Sequence, residues 1–468
     1  MTLIKSISGI RGTIGGVEGH NLTPPDVVRF TCGYAHWLRE RFPSELPTVV
    51  LGRDGRVSGE MVVGLVAHAL MGCGIRVINL GYSTTPTVEM AVSGLGAQGG
   101  IVVTASHNPV EWNALKLLNE RGEFLSAQDG ERVLELALDR WLHYPSWDAL
   151  GSIQSYEGGY LKEHVQAIIA HPLVDAKAVA QRGFRVVVDA INSTGGLAVP
   201  LLLEALGVKD YLILNKEPMG RFAHHPEPLA EHLSETCLAV RESGAHLGIV
   251  VDPDVDRLAF IQEDGQMFGE EYTLVAVARY YLKHRPGPVV NNLSSSRALS
   301  DVAGTLGCPT YSAAVGEAHV VAKMKEVGAV LGGEGNGGVI VPDLHYGRDA
   351  LAGIALFLTA LAHDPKPLSE LRSELPSYEL VKKKITLAEG VDTAVLLRRL
   401  AEYYPKERVD TTDGVKVNFE RGWVHVRRSN TEPIVRIYAE APSAPEAEEL
   451  AADCLREIQK ILEDALSL

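Results

Sequence analysis

Short apolar runs alternate with longer amphipathic stretches along the chain, and the alternation recurs in a fixed order. PTVVLGRDGRVSGE from Pro47, FRVVVDAINSTGG from Phe184 and PVVNNLSSSRALS from Pro288 each pass from a β-branched run through a polar turn into Ser, Thr or Gly. That pattern predicts a strand followed by the start of a helix. Each copy continues with a helical stretch closed by glycine and a second short strand: GIRVINLG from Gly74, GVKDYLILN from Gly207 and GCPTYSAAVG from Gly307. A third strand follows in every copy, in GIVVTASHNP from Gly100, GIVVDPDVDR from Gly248 and GAVLGGEGNGG from Gly328. The repeat predicts three α/β units with mostly parallel, helix-covered sheets, whose ligands collect beyond the carboxyl ends of the strands.

The alternation ends near HDPKPLSELRSELPS, from His363. Beyond it come a strand (VKKKITL), a helix (VDTAVLLRRLAEYY), strands about a hairpin turn at Asp413-Gly414, a strand (PIVRIYAEA) and a closing amphipathic helix from Pro445. This predicts a small α+β unit. The mixed stretch WLHYPSWDALGSIQSYEGGY, from Trp141, marks the first boundary. The expected division is 1–150, 151–256, 257–366 and 367–468.

Composition adds limits. The 468 residues are 46% hydrophobic and carry a net charge of -15, which opposes nonspecific attraction to nucleic acid or an anionic membrane. A small anionic substrate would then need a locally positive pocket. The five cysteines are scattered, matching neither a CxxC metal pair nor a disulfide framework, and read as buried thiols. The N-terminus lacks a signal-peptide apolar core and no apolar run spans a bilayer, so a cytoplasmic protein is expected. Nothing in the chain specifies an oligomeric state.

The three third-strand loops carry the chemistry. Asp252, Asp254 and Asp256 follow a strand at alternate positions; such carboxylates repel unless a hard cation neutralises them, and oxygen-only ligands favour Mg²⁺ or Ca²⁺. An EF-hand is excluded because Arg257 stands where the sharp turn needs glycine, and because the flanks read as strands. Ser106 has His107 as its immediate neighbour and no GxSxG elbow, so a phosphoryl carrier suits it better than a serine attacking a carbonyl. Lys116 can reach back over that loop, but acting as a general acid or base would require a lowered pKa. Arg11, in SGIRG, occupies a glycine-flanked turn fit for an anion. In GGEGNGG, Glu334 and Asn336 are the groups able to read hydroxyls or an amine; GxGxxG and a Walker lysine are absent. Arg427, Ser429, Asn430 and Thr431 assemble a phosphate clamp in VRRSNTEPIVR.

Together, SGIRG, TASHNP with Lys116, DPDVDR, GEGNGG and RRSNTEP resemble, in order and over nearly the whole chain, the α-D-phosphohexomutase family. The resemblance implies a four-domain, heart-shaped enzyme around a central cleft. It also implies a phosphoserine at Ser106, which with Asp252, Asp254 and Asp256 would hold Mg²⁺. Arg11, Lys116 and His107 would lie near the reacting phosphate. Arg257, Glu334 and Asn336 would lie on the sugar, and Arg427, Ser429, Asn430 and Thr431 on the distal phosphate. The implied reaction passes through a hexose 1,6-bisphosphate. Many phosphoglucomutases and phosphomannomutases carry a serine and a histidine where this chain has Asn336 and Gly338. With the N-terminal MTLIKSISGIRGTIGG, the variant is most similar to phosphoglucosamine mutases of the archaeal-type branch, so glucosamine phosphate is expected ahead of glucose or mannose phosphate. Two other activities would use the same residues: a phosphatase that loses the phosphate to water, and a silent sugar-phosphate-binding protein.

Overall fold

The computed structural model describes residues 1–6, 9–139, 141–387, 391–404, 408–428 and 434–466. Four sheets account for the strands among them, and the first three share one plan. In the second sheet the strand Arg185–Asp189 pairs in parallel with Asp210–Leu214 on one side and Leu247–Val251 on the other. Leu258–Gln262 then returns antiparallel along Leu247–Val251. The third sheet repeats this with Val289–Asn292, Thr310–Ala313, Leu331–Glu334 and the return strand Gly338–Ile340. The first repeats it with Thr48–Arg53, Arg76–Tyr82, Gly99–Val103 and Trp112–Leu118, extended by Gly9–Thr13 and Ile4–Ser6 at one edge and Ile153–Ser155 at the other.

Each of the three loops is therefore a connection between a buried parallel strand and an antiparallel return. Gly99–Val103 and Leu247–Val251 are buried at every position, as expected of strands covered on both faces. The reading of mostly parallel sheets holds for the first three strands of each unit; the return strands make all three sheets mixed.

Those extra strands also move the boundaries. Ile153–Ser155 pairs with Arg76–Tyr82, so the first sheet continues past residue 150. A division at 256/257 would detach Leu258–Gln262 from the sheet it completes. Leu368, Leu371 and Leu375 pack into the core shared by the second and third units, beyond the expected division at 366/367. Loss of periodicity marks a loop, but hydrogen bonding decides which unit owns the strand after it.

That shared core surrounds the helix Ala350–His363, whose sequence ALAGIALFLTALAH is apolar on nearly all sides and buried accordingly. Asp349 caps it, accepting from the backbone N–H of Leu351 and Ala352 at 2.8 and 3.1 Å. The last sheet is antiparallel, in the order Glu379–Thr386, Ile434–Ala441, Trp423–Arg428, Val415–Asn418 and Arg408–Asp410, and the helices Thr393–Tyr403 and Ala444–Leu466 contribute to its own core. The five cysteines are free thiols; four are buried and Cys237 is half-buried. No helix among the described residues is long and apolar enough to cross a membrane.

Candidate active site

Ser106 sits at the turn out of Gly99–Val103 with φ of +48°, a conformation uncommon outside glycine. Two devices hold it there. Its N–H donates to Thr104 Oγ1 at 2.9 Å, and the carbonyls of Ser106, Asn108, Pro109 and Trp112 all accept from the guanidinium of Arg56, at 2.6 to 2.9 Å. Arg56 is itself fully buried and paired through Nε to Asp54 at 3.0 Å. Four backbone carbonyls converging on one buried cation make a rigid cradle, because removing that cation would strand every acceptor.

Ser106 Oγ donates to Asp252 Oδ2 at 2.6 Å, joining the first loop to the second. The second loop turns sharply: Asp252 Oδ1 accepts from the N–H of Asp256 and Arg257, both at 3.1 Å, and Val255 takes φ of +62°. A β-branched residue in this region is strained. The compensation is tight anchoring. Pro253 O accepts from Ser193 and Thr194 at 2.6 and 2.8 Å, and Thr85 reaches Asp254 through its N–H at 2.9 Å and its hydroxyl at 2.5 Å.

All three aspartates are fully buried, with one carboxylate oxygen from each lying within 4.8 Å of the others. Burial and repulsion by Asp254 and Asp256 push Asp252 well above the usual carboxylate range. Asp254 Oδ1 and Asp256 Oδ1 lack hydrogen-bond partners among the described residues. Orphaned buried oxygens in an oxygen-only set fit a hard divalent cation, with Ser106 Oγ beside them.

Lys116 donates to Asp254 Oδ2 at 2.6 Å and Asp256 Oδ2 at 3.0 Å. Burial disfavours its charge, but the two aspartates outweigh burial and raise its pKa. With both aspartates turned to it, Lys116 is held here as a cation. His107 is the reverse case. Burial, with Arg257 and Arg11 beside it, holds its pKa well below the usual imidazole range, and its Nε2 faces Arg257 Nη2 at 3.4 Å. Arg11 donates to Asn108 Oδ1 at 3.4 Å, and Arg257 pairs with Glu227 at 3.2 Å.

In the third loop, Glu334 accepts from Asn292 Nδ2 at 2.9 Å, Gly316 N–H at 3.1 Å and Arg348 Nη1 at 2.8 Å. Asn336 Oδ1 accepts from the Gly338 N–H at 3.2 Å. Gly337, at φ +83°, lies so close to Leu258 O that any β-carbon would collide with it at 1.9 Å, which explains the glycine run without a nucleotide.

Arg11, Ser106, His107, Lys116, Arg257, Glu334, Asn336 and Arg427 all line one cavity of about 380 Å³. Seven lysine and arginine side chains line it against five glutamates, an excess that the three buried aspartates behind Ser106 offset. Arg427 stands at the end formed by the last sheet, beside Arg436, Tyr438 and Lys382. Ser429, Asn430 and Thr431 lie outside the described residues. A larger surface hollow of about 680 Å³, between Pro24 and Tyr144, has a largely apolar lining and lacks such convergence.

Sequence reasoning missed Arg56, Thr85, Glu317 and Arg348. GRDGR, at the end of the strand Thr48–Arg53, was a readable signal for Arg56. Thr85, Glu317 and Arg348 carry no local signal, since each acts on a residue from another part of the chain.

Comparison with known proteins covers the whole arrangement. Residues 3–140, 162–265 and 269–378 match the phosphoglucomutase/phosphomannomutase alpha/beta/alpha domains I, II and III, and residues 381–457 match the C-terminal domain of the same family. A phosphoglucomutase/phosphomannomutase of Thermococcus kodakarensis is 37% identical over 97% of this chain and 98% of that one. A phosphoglucosamine/phosphogalactosamine mutase of Sulfurisphaera tokodaii is 31% identical over 97% and 98%. Among solved structures, a phosphoglucomutase/phosphomannomutase family protein of Burkholderia thailandensis superposes with a TM-score of 0.84 at 28% identity, covering 99% of this chain and 98% of that one.

Proposed function

The chain belongs to the phosphoglucomutase/phosphomannomutase family, and from that premise we propose that it interconverts glucosamine 6-phosphate and glucosamine 1-phosphate through a phosphoserine at Ser106. The observation that carries the reading is Ser106 Oγ at 2.6 Å from Asp252, within a buried triad of aspartates, at one end of a cavity whose other end holds Arg427. A reacting site and a remote clamp are what a mutase needs, because one phosphate must be held while the other reacts.

In the forward half-reaction, the P–O bond to Ser106 Oγ breaks and a new one forms to the free hydroxyl of the sugar monophosphate, giving a hexose 1,6-bisphosphate. The sugar hydroxyl gives up its proton and the released Ser106 Oγ takes one up, so the protons balance over the half-reaction, and the return transfer reverses this exchange. The bisphosphate then turns end for end. Its other phosphoryl group passes to Ser106 Oγ, and the isomeric monophosphate departs. Asp252, Asp254 and Asp256, with the Ser106 oxygen, would hold Mg²⁺, which neutralises charge developing on the transferring group. Lys116, paired with Asp254 and Asp256, would supply further positive charge beside the reacting phosphate. Arg11 and His107 flank the reacting phosphate, with Arg257 toward the sugar. Glu334 and Asn336 read the sugar, and Arg427, with Ser429, Asn430 and Thr431, holds the far phosphate.

Glucosamine phosphate is favoured by the Asn336 and Gly338 variant and by a probable phosphoglucosamine mutase of Methanopyrus kandleri, 35% identical over 98% of both chains. The Thermococcus relative supports a second reading, glucose or mannose phosphate as the substrate. The deciding experiment assays wild type and Ser106→Ala on all three sugar phosphates and weighs the intact protein. The expected outcome is mutase activity highest on glucosamine phosphate and a phosphoprotein that Ser106→Ala cannot form. A tenfold preference for glucose or mannose phosphate would overturn the substrate; phosphate release without isomer interconversion would overturn the mutase.

A further inference from the structure

Gly338 begins the return strand of the third unit, and a β-carbon built on it would meet Arg348 Cδ at 2.3 Å and Cγ at 2.9 Å. The volume that a side chain at 338 would occupy is therefore filled by an arginine from ten residues later. Arg348 is almost fully buried, lines the cavity, and divides its guanidinium among three carboxylates. Nη2 donates to Asp256 at 2.8 Å, Nη1 to Glu334 at 2.8 Å and Nε to Glu317 at 2.9 Å. Asp256 belongs to the aspartate loop of the second unit, while Glu334 belongs to the glycine-rich loop of the third. The next residue, Asp349, is fixed as well: one oxygen caps a helix, and the other faces His164 at 2.8 Å and His345 at 3.3 Å.

We infer that Arg348 is a positioning residue that sets the sugar-reading Glu334 at a fixed place relative to the aspartate loop, and that Gly338 is glycine to admit it. This rests on the roles proposed above for Glu334 and the aspartates. The planar fork of arginine can serve three separate acceptors at once, which the single ammonium of lysine cannot reproduce at the same positions. Because one rigid group touches both loops, displacing it moves the sugar contact and the reacting centre apart. Misplacement of about 1 Å is enough to cost on the order of 10²-fold in rate.

Two variants of the full chain test this. Arg348→Met removes the bridge, and Gly338→Ala keeps every charge but displaces the bridge sterically, so it remains informative where Arg348→Met fails to fold. For each, kcat and KM are measured on glucosamine 1-phosphate and glucose 1-phosphate, and Mg²⁺ affinity is measured by calorimetry without substrate. The expected result for Gly338→Ala is a fall in kcat/KM of on the order of 10²-fold on the better sugar, with the ratio between the two sugars compressed about tenfold. Mg²⁺ binding should persist, since the three aspartates remain. A sugar ratio within about twofold of wild type in the folded variants, whatever the loss of overall rate, would overturn the inference. The underlying reading fails in a different place: wild type would then show no interconversion and no phosphoserine.

Discussion

The two ends of the cavity differ in how completely their charges are paired. At the Ser106 end, cations and anions already neutralise one another: Lys116 is paired with Asp254 and Asp256, Arg348 with Asp256, Glu334 and Glu317, and Arg56 with Asp54. At the far end Lys382 pairs with Glu270, but Arg427 sits half-exposed with a buried Nε that has no hydrogen-bond partner among the described residues. The first end is preassembled, so its charges are oriented before substrate arrives and need no reorganisation during phosphoryl transfer. The second leaves donor capacity for a ligand. One end is suited to chemistry and the other to affinity, and substitutions at the two ends should fail differently.

The largest effect is expected at Ser106. Ser106→Ala removes the oxygen that carries the phosphoryl group, and mutase activity should fall by at least about 10³-fold. Retention of a tenth of wild-type activity would remove Ser106 from the chemistry. Next comes Lys116. Lys116→Met strands buried Asp254 and leaves Asp256 with Arg348 alone, a change worth about 3–5 kcal/mol where a buried ion pair loses one partner. The unfolding midpoint should drop by roughly 3–5 °C in chelator. Saturating Mg²⁺ should recover much of that loss, because a divalent cation on the same aspartates replaces the missing charge. Equal destabilisation with and without Mg²⁺ would show that the aspartates do not share the cation and the lysine.

Much of this site was legible from local pattern. Three homologous strands ended in three unlike polar loops, and the structure brings all three to one cavity. What stayed hidden were the connectors. Arg348 lies in YGRDA, an unremarkable string; its importance arises from the space left at Gly338 and from carboxylates 14, 31 and 92 positions away in sequence. Unit boundaries were hidden for a related reason. The strand Leu258–Gln262 reads clearly as a strand, but only its antiparallel register with Leu247–Val251 assigns it to the second unit. Periodicity reports local conformation, and long-range pairing is what local conformation leaves open.

The far end should respond in affinity alone. Arg427→Met removes a half-exposed cation without stranding a buried partner, so KM for the sugar phosphate should rise about tenfold to a hundredfold. The unfolding midpoint should move by only about 1–2 °C. A large stability loss, or a kcat effect with unchanged KM, would erase the contrast between the two ends.

The smallest effect tests whether preassembly extends beyond the cavity, to the cluster of Glu89, His164, His345 and Asp349, where the first three units meet. Burial alone would lower the pKa of His345, but Asp349 and Glu89 outweigh it and push it up to about 10 from an ordinary 6.5. A group whose folded pKa is raised stabilises fully below its unfolded pKa, and that contribution is lost as pH climbs through the folded value. His345→Gln should therefore lower the unfolding midpoint most near pH 6, by several degrees, with the gap from wild type closing between about pH 6.5 and 10. Because Glu89 and Asp349 remain in the variant, the deficit below pH 6.5 measures their loss of a cationic partner rather than a loss of packing volume. A gap that stayed constant with pH would mean that His345 acts through its shape, and that the ionic preassembly stops at the cavity wall.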